Sequence, residues 1–266
     1  MRLVGLFLAL WAIALPAHAE LKAINGLPLR RESYRRIVSL APSTTELLYA
    51  AGWGDRVVGV SAASDFPPEA RRKPQVGGAQ SLNVERILAL KPDLIVGIPM
   101  KSPVLAQLGS LSTAPVVLLP GDTLDSIASE AEQLSSVLGP SGRVFASRFR
   151  RELAAIAPGR RHPSVFYLVW DQPLMTAGPT TYLDDLIRRA GGRNVVSASG
   201  YISYSEERLI AAHPDVVLYP DNLEPGAKRL RARLPHARFI GLNADRVSRP
   251  GPRILDVIRQ VARAFS

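Results

Sequence analysis

Aromatic and hydrogen-bonding side chains gather in a few short stretches of this chain: Asp65-Phe66, Trp170-Asp171, Tyr201 to Tyr204 and Asn243 to Arg249. Such a set is suited to holding a ligand. Phe66, Trp170, Tyr201 and Tyr204 offer ring faces that bury much area, while Asp245 and Arg249 supply the few directional bonds that fix orientation. A large flat or polycyclic molecule decorated with amides fits that chemistry. Groups that break bonds are scarce by comparison. Beyond residue 19 the only histidines are His162, His213 and His236, with no i, i+4 pair and no carboxylate at metal-ligand spacing. There is no G-x-S-x-G elbow, no phosphate-cradling glycine loop, and no spacing that argues a triad. No catalytic residue and no metal ligand is therefore expected, and an enzyme is the rival reading from a different class.

The elements that must position these side chains are legible in a repeat. NVERILALKPDLIVGIP, from Asn83, returns 122 residues later as SEERLIAAHPDVVLYP, from Ser205. Glu85 falls on Glu207, Arg86 on Arg208, Pro92 on Pro214 and Asp93 on Asp215. A polar start, an apolar helical run, a Pro-Asp turn and a β-branched run describe helix, tight turn and buried strand. Each proline stops its helix, because the residue before it is pushed out of the right-handed α region. TELLYAAG from Thr45 and DDLIRRAG from Asp184 give a second match in the same order. At this period the repeat is a domain duplication, not a solenoid.

Strands are expected at Ile37 to Leu40, Val57 to Val60, Leu94 to Ile98 and Val116 to Pro120, then at Val165 to Trp170, Val195-Val196, Val216 to Tyr219 and Phe239 to Leu242. Helices between successive strands imply parallel sheets with right-handed crossovers. Ser43 to Glu46 has the S-x-x-E form of a capping box and opens the first helix. The fold class is α/β: two Rossmann-like lobes, 36–139 and 161–266, with mainly parallel sheets. Between them, at 140–160, Phe145, Phe149, Leu153 and Ile156 form one apolar stripe on a single rigid helix. That helix favours small rocking over large hinge closure; the alternative is an ordinary crossover helix within one continuous domain. Ligands of parallel α/β lobes sit outside the carboxyl ends of the strands, so the cleft between lobes is the expected site. The aromatic and polar stretches fall on loops that follow strands.

Composition narrows the class. With 47% hydrophobic and 21% charged residues, the chain is globular rather than disordered. Residues 1–19 read as a cleaved signal peptide, from Arg2 through the apolar run Leu3 to Leu15 to Ala17-His18-Ala19. No cysteine follows that could carry a lipid, so a soluble periplasmic protein of a two-membrane bacterium is expected. Removing the segment takes away one arginine and no acid, leaving 32 basic against 23 acidic residues. That excess is dispersed in pairs and triplets without interleaved aromatics, which argues against nucleic acid as a partner. Anionic lipid headgroups are a secondary possibility.

RIVSLAPSTTELLYAAG, GVSAASDFPPEA and NVERILALKPDLIV together resemble the cobalamin and iron-complex receptors of bacterial ABC importers, over about Arg36 to Phe265. SDFPPEA, NVER and SRPGPR are most similar to the cobalamin-binding branch. The resemblance implies two lobes on a helical backbone, a corrinoid held in the cleft as cargo rather than cofactor, and delivery to an ABC permease dimer in the inner membrane. It also implies that Glu85 and Glu207 dock with arginines of the two permease subunits. The plainer explanation for both is an acid complementing a helix N-terminus. By the same resemblance Asp245 and Arg249 contact corrin side chains and Tyr201 is a ligand aromatic. Family tryptophans fall here on Ala79 and Ile98, and a tyrosine on Ala63; Trp170 and Tyr204 are candidate replacements. These departures keep haem and ferric siderophores open as ligands, with Tyr201 or Tyr204 the candidate axial group for haem.

Overall fold

The computed structural model describes residues 21–78, 81–100 and 102–266, so the expected signal peptide and Ala79 lie outside the described residues. The chain runs β1 (Ile37–Ser39), α1 (Pro42–Ala50), β2 (Val57–Val60), β3 (Gly77–Gly78), β4 (Ser81–Leu82), α2 (Val84–Ala89), β5 (Leu94–Gly97), α3 (Pro103–Leu111) and β6 (Val116–Leu118). Two long helices follow, α4 (Leu124–Leu138) and α5 (Ser141–Ala154). The second half is β7 (Ser164–Tyr167), β8 (Trp170–Asp171), β9 (Leu174–Ala177), α6 (Tyr182–Arg189), β10 (Arg193–Asn194), β11 (Tyr201–Ser203), α7 (Glu206–Ala212), β12 (Val216–Pro220), α8 (Glu224–Arg233), β13 (Arg238–Leu242), α9 (Ala244–Val247) and α10 (Ile254–Ala264). Among the described residues no helix is long and apolar enough to cross a membrane.

Duplication is visible in the topology. The first sheet has order β2-β1-β5-β6 and the second β10-β7-β12-β13, every pair parallel. The repeated Lys/His-Pro-Asp turn does the same work in both. Lys91 and His213 adopt left-handed backbone, with φ of 46° and 44°, as the following prolines disfavour the right-handed region. Asp93 then accepts from the amides of Arg35 and Arg36 at 2.7 and 2.8 Å, and Asp215 from the amide and hydroxyl of Ser164 at 2.7 and 2.6 Å. Each aspartate pins the start of its central strand. The bonds from Ser164 also hold the Asp215 carboxyl below the usual carboxylate range.

Two local expectations are corrected. Ser43 to Glu46 is not a capping box: α1 starts at Pro42, Ala41 is its cap, and no side chain closes it. The Thr44 and Thr45 hydroxyls instead donate back to the Ala41 carbonyl, and Glu46 turns to an arginine of the other lobe. The expected strand Val165 to Trp170 divides, because Trp170 belongs to a small antiparallel sheet of order β11-β9-β8. Trp170 to Gly178 and Tyr201 to Tyr204 are thus paired strands and their turns, not free loops.

The connection between lobes is where most of the core lies. α5 buries Phe145, Phe149 and Leu153 of the expected stripe, with the two phenylalanine rings 5.8 Å apart, and ends before Ile156. At 14 residues it is about 21 Å long. Alongside it lies α4, burying Leu124, Ile127, Ala131, Leu134 and Leu138. The two cross closely at Gly142, where a Cβ would stand 2.4 Å from the Ala131 carbonyl oxygen and the Trp53 ring. α4 begins against the C-terminal lobe, with the Leu124 amide donating to Asp185, and ends against the N-terminal lobe, where Arg56 donates to the Leu138 carbonyl. α5 returns, and Arg259 of α10 meets Glu152 near its end. One apolar core therefore runs from Ile37 and Leu94 through both helices to Val165 and Ile258. At the crossover, buried Glu130 accepts from the Gly121 amide at 2.7 Å; burial pushes its carboxyl up to about 7 against that bond.

Candidate functional site

The carboxyl ends of both parallel sheets face a common cleft with two adjoining hollows, of about 290 and 330 Å³, that share Asn222 and Ser248. Strand ends bring the walls together. Pro42 and Ser43 follow β1, Ile98 follows β5, Pro220 closes β12, and Asp245 to Pro250 follow β13. The N-terminal wall is built of small side chains; the C-terminal wall is aromatic, with Tyr167, Trp170, Tyr182 and Tyr201.

Pleat geometry explains the aromatic wall. Trp170 pairs with Met175, which pairs with Ser203, and Tyr201 lies two residues before Ser203, so both rings share one face of the small sheet. Trp170 is 50% and Tyr201 49% exposed, unusual for rings of this size and a mark of a binding surface. They are held from behind. The Trp170 indole N–H donates to the Gln172 carbonyl at 2.9 Å, and the buried Tyr182 hydroxyl to the Val247 carbonyl at 2.9 Å. The Tyr201 hydroxyl reaches inward to hydrogen-bond Tyr182. Burial of that end pushes the Tyr201 phenol up to about 12, the Tyr182 bond pulls the other way, and Asp122 adds to the rise. No cation is among the groups that act on it.

The smaller hollow, of about 290 Å³, borders a charge cluster that spans the lobes. Arg249 bonds Asp65 of the N-terminal lobe at 2.5 Å and Asp245 of its own lobe at 3.0 Å, and stands 3.7 Å from Glu46. Arg253 grips Glu46 with two nitrogens, at 2.9 and 2.5 Å, and lies over the Phe66 ring at 4.1 Å. The Glu46 side chain is 2% exposed. Three carboxylates thus face two guanidinium groups, leaving the cluster one negative charge. The hydrogen bond from Arg249 holds the Asp65 carboxyl below its ordinary value, and the bond to Glu46 raises Arg253.

Of the side chains singled out in sequence, the cleft gathers Trp170, Tyr201, Asp245 and Arg249. Two stand elsewhere. Tyr204 follows the last residue of β11 and turns to the opposite face from Tyr201, packing on Phe166 at 5.5 Å with Arg208 over its ring at 4.6 Å. Phe66 lines a separate hollow of about 220 Å³ with Glu46, Tyr49, Pro67 and Pro252, and Arg253 stacks over its ring. Sequence reasoning passed over Tyr167, Tyr182, Asn222 and Ser248, and gave Glu46 a capping role. Tyr167 sits in a buried strand and Tyr182 in the first turn of a helix, so neither carries a local signal. Among the described residues no group of three or more histidines and carboxylates is placed to hold a metal ion.

Glu85 and Glu207 occupy equivalent places. Each is the second residue of its helix, α2 or α7, behind an N-cap whose side chain accepts from the backbone, Asn83 from Arg86 at 2.8 Å and Ser205 from Arg208 at 3.2 Å. Both are exposed. Since α2 and α7 each end at the Pro-Asp turn that starts a strand, their first turns lie on the cleft side of the molecule. The Glu207 carboxyl is held low by its own backbone amide and the Ser205 hydroxyl.

Known proteins are similar to this chain in sequence and fold over most of its length. Residues 37–235 match the family described as periplasmic binding protein. A vitamin B12-binding protein of Yersinia pseudotuberculosis serotype O:3 (strain YPIII) is 34% identical over 265 residues, spanning 95% of this chain and 94% of the relative. The crystal structure of the periplasmic vitamin B12 binding protein BtuF of Vibrio cholerae superposes with a TM-score of 0.74 at 33% identity, covering 87% of this chain and 96% of that one. The periplasmic heme-binding protein RhuT of Roseiflexus sp. RS-1, in apo form, gives a TM-score of 0.74 at 28% identity, covering 87% and 97%. With a duplicated parallel α/β framework, a cleft at its strand ends and these relatives, the chain belongs to the periplasmic binding protein family.

Proposed function

We propose that this protein captures cobalamin, or a related corrinoid, in the cleft between its lobes and delivers it unaltered to an ABC-type importer in the inner membrane. The observation that carries the reading is an open aromatic wall beside a charge cluster with no cation to spare. Trp170 and Tyr201 offer ring faces to a broad ligand, while Asp245, Arg249, Asn222 and Ser248 offer bonds to uncharged amides. A vitamin B12-binding relative at 34% identity supports it.

Haem and ferric siderophores fit less well. An axial phenolate for haem iron needs a hydroxyl that faces the ligand, whereas that of Tyr201 is engaged with Tyr182. Tyr204 packs away from the cleft. A ferric siderophore of negative charge wants unpaired cations, and Arg249 and Arg253 are both engaged by carboxylates. The deciding experiment is to incubate the protein with cyanocobalamin, haem or a ferric siderophore, desalt, and read the ultraviolet-visible spectrum. Corrin bands should elute with the protein, and the recovered compound should be chemically unchanged. Elution of haem or iron chelate in place of corrinoid overturns the reading, and conversion of the compound would favour the enzyme alternative.

The working place of the protein is the periplasm, entered through the signal peptide expected at residues 1–19. Glu85 and Glu207 are read as the docking charges, one per lobe, presented on the face where the cleft opens. A duplicated receptor meeting a symmetric permease dimer should offer matched groups. Exposed charges of this kind steer encounter and set register. Glu85→Ala with Glu207→Ala should leave cyanocobalamin affinity within about twofold and weaken permease association about tenfold or more at low salt. Binding of the double variant to permease in lipid discs checks this; full association would remove the docking role.

A further inference from the structure

The cluster that ties the lobes also bears on which ligands the cleft admits. Arg249 lines the hollow, yet its two terminal nitrogens are already taken, one by Asp65 across the cleft and one by Asp245 four residues back. Behind them Glu46 holds one edge of Arg253, through Nε and Nη2. A ligand carboxylate arriving here would have to displace an acid or sit beside like charge, whereas a carboxamide can take a remaining guanidinium N–H and donate to Asp245. We infer that Asp65 is a specificity-determining residue, which by occupying Arg249 makes the cleft discriminate against carboxylate-bearing ligands in favour of amide-bearing ones. Asp65 acts through Arg249 and is in that sense a positioning residue. The inference deepens the corrinoid reading and rests on it for the identity of the favoured ligand.

The selectivity can be tested without a corrinoid. Hemin carries two propionates, and its dimethyl ester presents the same ring without them. Both are titrated into the wild type and Asp65→Asn in the same detergent-containing buffer, following absorbance and tryptophan fluorescence. Asp65 is 40% exposed at its side chain, so its replacement by the isosteric amide leaves the fold in place. Asp65→Asn should bind hemin about tenfold more tightly than the wild type, and the gain should shrink as salt is raised to about 0.5 M. The dimethyl ester should show no such gain, and Asp65→Glu should restore wild-type values. Asp245→Asn, which frees the other nitrogen, should shift hemin affinity in the same direction. An equal gain for hemin and ester would mean a loosened cleft rather than a charge filter, and would overturn the inference. So would an unchanged hemin affinity, or no hemin binding by any form. Should the contrast appear while cyanocobalamin fails to co-elute with the wild type, the filter stands and the corrinoid assignment falls.

Discussion

Truncating Trp170 and Tyr201 to alanine together should lower cyanocobalamin affinity by between a hundredfold and a thousandfold. Half of each ring is open to solvent, so about 100 Å² apiece is available to be covered by a ligand. At roughly 25 cal/mol per Å² each ring contributes about 2 kcal/mol, the range of an interface hot spot. Two such losses sum to about 4 kcal/mol, with each 1.4 kcal/mol worth a factor of ten. Because the rings share one face of the same small sheet, their effects overlap and the lower half of the range is expected. Isothermal titration measures it. Stability should fall by less than about 1 kcal/mol, since neither ring is a core residue. A loss of affinity under tenfold would show that the ligand rests elsewhere.

Glu46→Ala should be strongly damaging to the fold. Its carboxylate is almost wholly buried and holds Arg253 across the lobe boundary, with Arg249 close by. Removing it strands partly buried guanidinium groups, which costs about 3 kcal/mol. For a chain of this size that lowers the melting temperature by roughly 10 °C. Replacing the pair together, Glu46→Leu with Arg253→Met, should recover most of the loss, because the penalty comes from an uncompensated charge more than from the pair itself. Thermal melts of the three proteins separate the cases. If the double variant melts no higher than the single one, the bridge contributes more than charge compensation.

The framework was legible because each of its pieces has a local cause. Val57 to Val60 and Val216 to Tyr219 are short apolar runs bounded by turns, and the paired Pro-Asp turns fix where α2 and α7 must stop. The interior stripe of α5 was readable as helical spacing. What escaped depends on partners distant in sequence. Trp170 and Tyr201 pair through β9, a relation that no window around either residue contains. Glu46 matches a capping pattern, yet an arginine 207 residues away claims its carboxylate. Phe66 and Tyr204 are aromatics on strand-end segments like the two that line the cleft; only the pleat and a covering guanidinium distinguish them. The cleft was thus located correctly by topology, while its occupants depended on packing.

The paired helices also decide how this polypeptide can be re-engineered. Backbone passes from one half to the other three times, first between β6 and α4 and then along α4 and α5 themselves. Neither half can be excised as a free-standing module, because any cut there leaves the greasy flanks of Leu134, Phe145 or Phe149 facing water. A biosensor built on this scaffold should therefore receive its fluorescent insert at an outlying surface turn, with the twin struts left unbroken.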